Sequence, residues 1–596
     1  MKIKNILILA LLAGSFCACD DLFDPAVENA QTEEQMFKDA ASAQGVLGYA
    51  YANLPFETKS TTDIATDDAV TNDLDNGYRR MSQGTWAANS DPMSQWQSRR
   101  ITIQYMNLFL NHVEDVQWSK DPARQVMFVD KLRGEALALR ALNMYYLLRN
   151  HGGWTDAGEL LGVPILFEPE GLGSDFNQPR ATFQACVNQI YADLDEAMNL
   201  LPFDYVNPKT TPDSAVPQKY QDLGVTAIAE YAVVFGDSFN GRISGRIAQT
   251  IKGLTALLAA SPAYADGTDV TYADAADEIA VVLKTINGVS GVDPKGHRWF
   301  MEKSTIDNLA SGQCPPEILW RGTKNKGTED YAFGISQERD NYPPTLYGSG
   351  RINPTQNFVD AFPMANGYPI TDPSSGYNAE DPYAGRDPRL AEYVLFNGSK
   401  FNNATINTSV NSTDNNGLNK IASSTRTGYY LRKLLRDDCN ANPSQTNPQY
   451  HYPVYFRYTE LFLGYAEAAN EAWGPTGAGD NGFSAYDVIK ALHDRAGVGN
   501  DYLDSIMGDK DKMRELIRNE RRIELSFENK RFWDMRRWKL DLTEPAMGVR
   551  IEQDGGALKY TEFEVEPRVY KSHMYYGPIP ELEVLKWSNL DQNKGW

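Results

Sequence analysis

RNERRIELSFENKRFWDMRRW, residues 518–538, holds seven Arg/Lys and four Asp/Glu, with Phe527, Phe532, Trp533 and Trp538 set among them. Such a mixture reads either as a basic, aromatic grip for nucleic acid or as the charged and packed faces of one structural helix. Spacing decides. Arg521–Glu524, Glu528–Arg531, Lys530–Asp534 and Asp534–Arg537 fall at i,i+3 or i,i+4, where helix side chains are neighbours and each exposed pair is worth about 0.2–0.5 kcal/mol. Ile523 shares a face with Phe527, and Leu525 with Phe532. The guanidiniums therefore meet carboxylates and the aromatics turn inward, which predicts one structural helix over 509–537. A formal charge of −22 points the same way, because a field of that sign repels phosphate backbones. Nucleic acid is excluded as a partner.

Helical periodicity spreads outward from this stretch. In 457–473, Tyr458, Leu461, Phe462, Tyr465, Ala469 and Ala472 line one face. Further helices are predicted over 34–54, 95–116, 123–150, 182–200, 244–260, 271–288 (with Thr271 as cap) and 484–496. Residues 290–450 differ: rich in Gly, Pro, Asn and aromatics, they read as a long irregular insertion with short strands, of a size that points to function. The predicted fold is mainly α, with helical hairpins supporting this loop-rich region. Three segments are expected: 1–18 as a signal peptide, 19–230 as an N-terminal helical region, and 231–596 as a C-terminal region carrying the insertion. The last two are expected to form one compact unit.

The N-terminus sets the compartment. MKIKNILILALLAGSFCACDDLFDP has Lys2 and Lys4, an apolar run from Ile6 to Ala13, small residues and then cysteine. The run is too short to span a bilayer and has the form of a secretory signal. Ala18–Cys19 reads as a lipoprotein cleavage point, with Cys19 acylated and anchored in the membrane; a secreted protein with Cys19 in a disulfide is the alternative. Cys186, Cys314 and Cys439 are widely spaced, with no C-x-x-C pair, so no zinc framework is expected; a disulfide among them stays open.

Motifs for catalysis are absent. GAGDNG (477–482) matches a dinucleotide fingerprint by letter, but it follows a helix rather than a strand and reads as a turn. TNDLDNG (71–77) misplaces the glycine and closing Glu of a calcium loop, though calcium held by scattered acids stays open. His112, His151, His297, His451, His493 and His573 form no close pair, and there is no nucleophile elbow or P-loop. A carboxylate pair for glycoside hydrolysis is spatial and leaves no sequence mark. No cofactor and no metal centre are expected.

The opening stretch also resembles a family block, R-x-E-R-x-x-E-L-x-x-E-x-x-R-x-x-D-x-x-R-W, through Arg518, Glu520, Arg521, Glu524, Leu525, Glu528, Arg531, Asp534, Arg537 and Trp538; a usual Gly is replaced by Asn529. RYTELFLGYAEAANEA (457–472) and the closing YYGPIPELEVLKWSNLDQNKGW are similar to two further blocks of the same family, the SusD/RagB outer-membrane lipoproteins. LRGEALALRALNMYYLLRNHGGW and INPTQNFVDAFPMANG fit as well, in the expected order. The resemblance implies an α-helical fold with TPR-like hairpins and a non-enzymatic role. Such proteins capture glycan at the outer face of the outer membrane. They hand it to a SusC-like TonB-dependent transporter, over which they sit as a lid. The acidic run Asp20, Asp21 and Asp24 resembles a surface-export signal. Some members take peptides, which is the runner-up reading; a secreted glycosidase is the third.

Sugar rings present an apolar C–H face and a hydroxyl rim, so a site needs aromatic platforms beside Asn, Asp or Arg. Two segments offer this, 67–100 and 299–347, and in the family both lie near the ligand. The expected binding residues are Trp86, Trp96, Trp320, Asn72, Asp67, Arg80, Tyr331 and Tyr347. Packing is the competing reading for each tryptophan; Trp299, Arg321, Asn341 and Tyr342 are lesser candidates.

Overall fold

The computed structural model describes residues 33–57, 59, 62–171, 173–327 and 335–596. The expected signal peptide, Cys19 and Tyr331 lie outside the described residues. The fold is mainly helical with a few short two-stranded sheets. Among the described residues, no helix is long and apolar enough to cross a membrane.

One layer is built from antiparallel helix pairs. Helices α1 (Ala40–Ala52), α2 (Trp96–His112), α3 (Pro122–His151) and α4 (Phe183–Leu200) precede α5 (Gly245–Ala260) and α6 (Tyr272–Lys284). Successive members pack side by side: α2 on α3, α3 on α4, and α5 on α6. Their starts follow from local chemistry. Asp121 caps α3 and Pro122 stands at its first turn, where the missing N–H costs nothing. Thr271 and Asp274 form a capping box on α6, as expected. The predicted helix 34–54 is interrupted, because Asp39 leaves helical geometry to cap α1.

A second, irregular layer carries α7 (Ser336–Asn341) and pairs of short strands. Among the latter, β1 (Ala69–Thr71) pairs with β3 (Ile352–Pro354), β4 (Lys400–Phe401) with β5 (Ala404–Thr405), and β2 (Ile318–Arg321) with β6 (Val454–Arg457). Helix α8 (Tyr458–Trp473) then enters the first layer, followed by α9 (Ala485–Ala496). The single apolar face predicted for α8 understates its position: Leu463, Ala466, Glu467 and Asn470 are buried too, because neighbours surround the helix.

The predicted helix 509–537 is two helices, α10 (Lys510–Glu524) and α11 (Arg531–Arg537). Between them Phe527 and Asn529 take φ of 58° and 59°, a left-handed conformation that Asn tolerates best after Gly. That explains why Asn can replace the usual Gly at 529. The turn redirects the charges. Asp534 meets Arg521 and Arg537, both at 2.8 Å, while Lys530 reaches Glu460 instead. Arg531 and Arg522 hold Asp67. Arg389, wholly buried, meets Asp387, Glu520 and Glu524 at 2.7, 2.5 and 2.8 Å. Arg457 pairs with Glu317 and Glu528, both at 2.8 Å. The basic stretch thus forms an internal ionic joint between the layers. A hairpin near the C-terminus, β7 (Ala546–Asp554) with β8 (Ala557–Glu566), turns on Gly555 and Gly556.

Candidate functional site

Pairing of β1 with β3 joins the two segments expected to bind ligand. The Asn72 amide donates to the carbonyls of Ser349 and Gly350, at 2.8 and 2.9 Å. Asn72 therefore anchors the loop carrying Tyr347 rather than facing a ligand.

The tryptophans are corrected by their burial. Trp86, Trp96 and Trp320 are 4%, 3% and 1% exposed. Trp86 is enclosed by Phe532, Tyr570 and Trp596 and donates to Asp91; Trp320 lies among Phe56, Tyr455 and Phe456 and donates to the Gly241 carbonyl. Trp96 packs edge-on against His151 in the helical core. Rings so covered offer no face to a sugar. Asp67 is equally committed, buried against Arg522 and Arg531. Arg321 donates to the carbonyls of Gln313, Gly322 and Ala310, and Tyr342 and Asn341 are buried. Arg80 is exposed at the end of the helical turn Gly77–Arg80. Trp299 lines a partly open pocket between the layers. Of the charges in its wall, Arg457 is held by Glu528 and Lys530 by Glu460, while the Arg149 guanidinium stacks on Trp533, 4.0 Å from the ring centre.

Tyr347 is different. It is 57% exposed and stands at the end of a tight turn begun by Pro343 and Pro344. Its φ is 65°, costly for a bulky side chain, by about 1–3 kcal/mol. The loop around it is held by bonds from Ser349 N–H to the Arg339 carbonyl and from Gly350 N–H to the Tyr342 carbonyl, besides those of Asn72. A rigid backbone thus presents a ring to solvent.

Beside the ring lies a solvent-open hollow walled by Lys303, Asn402, Asn403, Asp437, Asp438 and Asn440. Asn402 and Asn403 form the two-residue loop between β4 and β5, with φ of 48° and 62°. Positive φ at both positions matches the twist of paired strands and favours Asn. The Asn402 amide donates to the Cys439 carbonyl at 2.8 Å. Asp438 accepts from the buried Arg436 guanidinium, which also holds Asp307. Burial pushes the Asp438 carboxyl up, but the Arg436 hydrogen bonds and charge outweigh it and hold it below the usual carboxylate range. Asp437 pairs with Lys303. The hollow can offer a stacking ring, amide groups that donate and accept, and in Asp438 an ionised acceptor. Sequence reasoning missed all of these but Tyr347. The signal was the Asn-Asn pair inside KFNNAT, a hairpin loop by its flanks.

Cys186, Cys314 and Cys439 are unpaired thiols, which settles the open disulfide question among these three.

The sequence model described as "SusD family" matches residues 316–596, and that described as "Starch-binding associating with outer membrane" matches residues 28–216. A curated relative, SusD-like protein P2 of Formosa agariphila, is 31% identical over 158 residues; the match spans 26% of this chain and only 26% of that protein. A SusD-like protein of Bacteroides fragilis superposes with a TM-score of 0.70 at 22% identity, covering 96% of this chain and 100% of its own. A SusD-like carbohydrate-binding protein of the same species gives 0.65 at 19%, over 93% and 99%. Surface glycan-binding protein A of Bacteroides fluxus gives 0.58 at 18%, over 94% and 100%. With matched segments at both ends and this fold between them, the chain belongs to the SusD family.

Proposed function

We propose that the protein captures glycan at the outer face of the outer membrane, anchored through Cys19, and passes it to a SusC-like TonB-dependent transporter without cleaving it. The observation that carries this reading is Tyr347, a rigidly held exposed ring above a hollow of amides and carboxylates. A sugar's C–H face can stack on the ring while Asn403, Asn440 and Asp438 meet its hydroxyls. Asp438 is set up to bind rather than to act as an acid. Arg436 keeps Asp438 ionised, so it accepts hydrogen bonds and holds no proton to give a leaving group. Family membership and the relatives named for glycan or carbohydrate binding support the ligand class. A net charge of −22 disfavours polyanionic chains, so neutral glycans are the expected cargo.

The test is calorimetry of the full chain in detergent against neutral and uronate-rich polysaccharides, with an assay for released oligosaccharide. Tyr347→Ala should weaken binding at least tenfold, about 1.4 kcal/mol, with an unchanged melting temperature. Undiminished binding in that variant would move the site elsewhere. Indifference to every glycan, with binding to oligopeptides, would replace this reading by peptide capture, and released product would overturn the non-catalytic role.

A further inference from the structure

We propose that Glu338, Cys439 and His451 bind one divalent ion of the zinc class, which ties together three segments of the irregular layer. The residues come from α7, from the loop after Arg436 and from the segment before β6, so no sequence spacing announces them. All three are buried, and a carboxylate oxygen, the thiol sulfur and an imidazole nitrogen lie within 4.8 Å of one another. His451 Nε2 stands 3.1 and 3.2 Å from the two Glu338 oxygens. Tetrahedral zinc, with bonds of about 2.0–2.3 Å, separates its ligands by roughly 3.3–3.8 Å, so small side-chain adjustments close the site.

The surroundings aim these donors. The backbone N–H of Arg436 donates to Glu338 Oε1 at 3.0 Å. His451 is pinned by paired backbone bonds with Asn325, at 2.8 and 2.9 Å. The Arg436 guanidinium turns away to Asp307 and Asp438, so it does not neutralise Glu338. One carboxylate and one thiolate would balance a 2+ ion, which is what a buried site requires. Burial, reinforced by the charge of Glu338, pushes the Cys439 thiol up in the ion-free protein. Binding must therefore release the thiol proton to solvent as the metal–sulfur bond forms. The mixed sulfur, nitrogen and oxygen set selects zinc, cobalt or copper over calcium, which takes six to eight oxygens. Cys439 also lines the hollow beside Tyr347, which gives an ion its way in.

The experiment uses the full chain in detergent, stripped with a chelator and titrated with cobalt(II), then with zinc against a chromophoric chelator. One equivalent of cobalt should produce a thiolate charge-transfer band, and zinc should abolish it. Cys439→Ser should remove the band and His451→Gln should weaken zinc by at least roughly a hundredfold, while Cys314→Ser changes neither. The wild-type spectrum decides alone if a variant fails to fold. Absence of the band in wild type, or its persistence in Cys439→Ser, would overturn the proposal and leave a buried Glu–His hydrogen bond beside an inert thiol.

Discussion

Asp63 is wholly buried, and its carboxyl is pushed up to about 7, first by burial and then by the negative charge of Asp68. The folded chain therefore keeps a proton there that the unfolded chain gives up near pH 4. Its contribution is full below pH 4 and is lost as pH rises to 7. Asp63→Asn keeps an oxygen for the Asn529 N–H and removes the buried charge. It should stabilise the protein at pH 8 by at most ~4 kcal/mol, at ~1.4 kcal/mol per pH unit, seen as a raised melting temperature, and leave the melting temperature unchanged at pH 4. A shift of equal size at both pH values would refute this account. Single residues also mark where sequence reading of the site stopped. Tryptophan is the largest apolar side chain, so the property that recommends it as a platform recommends it equally for a core. What lifted Tyr347 out was a left-handed backbone after two prolines, and no periodicity records that. Asn72 and Asp67 were recognised as functional polar groups by type, yet their partners, Ser349, Gly350, Arg522 and Arg531, lie hundreds of residues away and claim them.

Elements were far more legible, because helices are set by local spacing and caps. Thr271, Asp121 and the stripe of α8 announced themselves. The break inside 509–537 did not: the i,i+4 pattern runs straight through 525–530, and the turn is imposed by contacts such as Asn529 Oδ1 with Thr62. How tightly helices pack is equally hidden, and it can be tested at glycines. A Cβ on Gly253 of α5 would stand 2.8 Å from Ile279 Cγ1 and 3.2 Å from the Ile279 backbone nitrogen on α6. On Gly48 of α1 it would meet nothing within 4 Å. Helix propensity favours alanine at both by about 1 kcal/mol, but overpacking costs about 1–3 kcal/mol. Denaturant titration should show Gly48→Ala stabilised and Gly253→Ala destabilised. The same sign for both would mean that propensity outweighs the α5–α6 contact.

At the scale of the whole molecule, the two layers meet through buried ions. Arg457 lies at the end of β6 and reaches Glu317 in the segment before β2, Glu528 between α10 and α11, and the Glu524 carbonyl. Arg389 of the irregular layer reaches Glu520 and Glu524 on α10. Burial opposes the charge of Glu524, yet Arg495, Arg389 and Arg457 overcome it and hold the carboxyl at about 2. Because that value lies below the ordinary one, the stabilisation is full above pH 4.5 and is lost as pH falls towards 2. Acid should therefore attack the joint rather than either layer's apolar core. We predict that scanning calorimetry gives one cooperative transition at pH 7. Arg457→Met strands Glu317 and Glu528 with only Arg495 and Lys433 as cationic partners. It should cost about 3–5 kcal/mol and broaden or split the transition, with the irregular layer melting first. An Arg457→Met protein that melts in one sharp step at the wild-type temperature would show that apolar packing, and not the ionic joint, makes the layers fold as one.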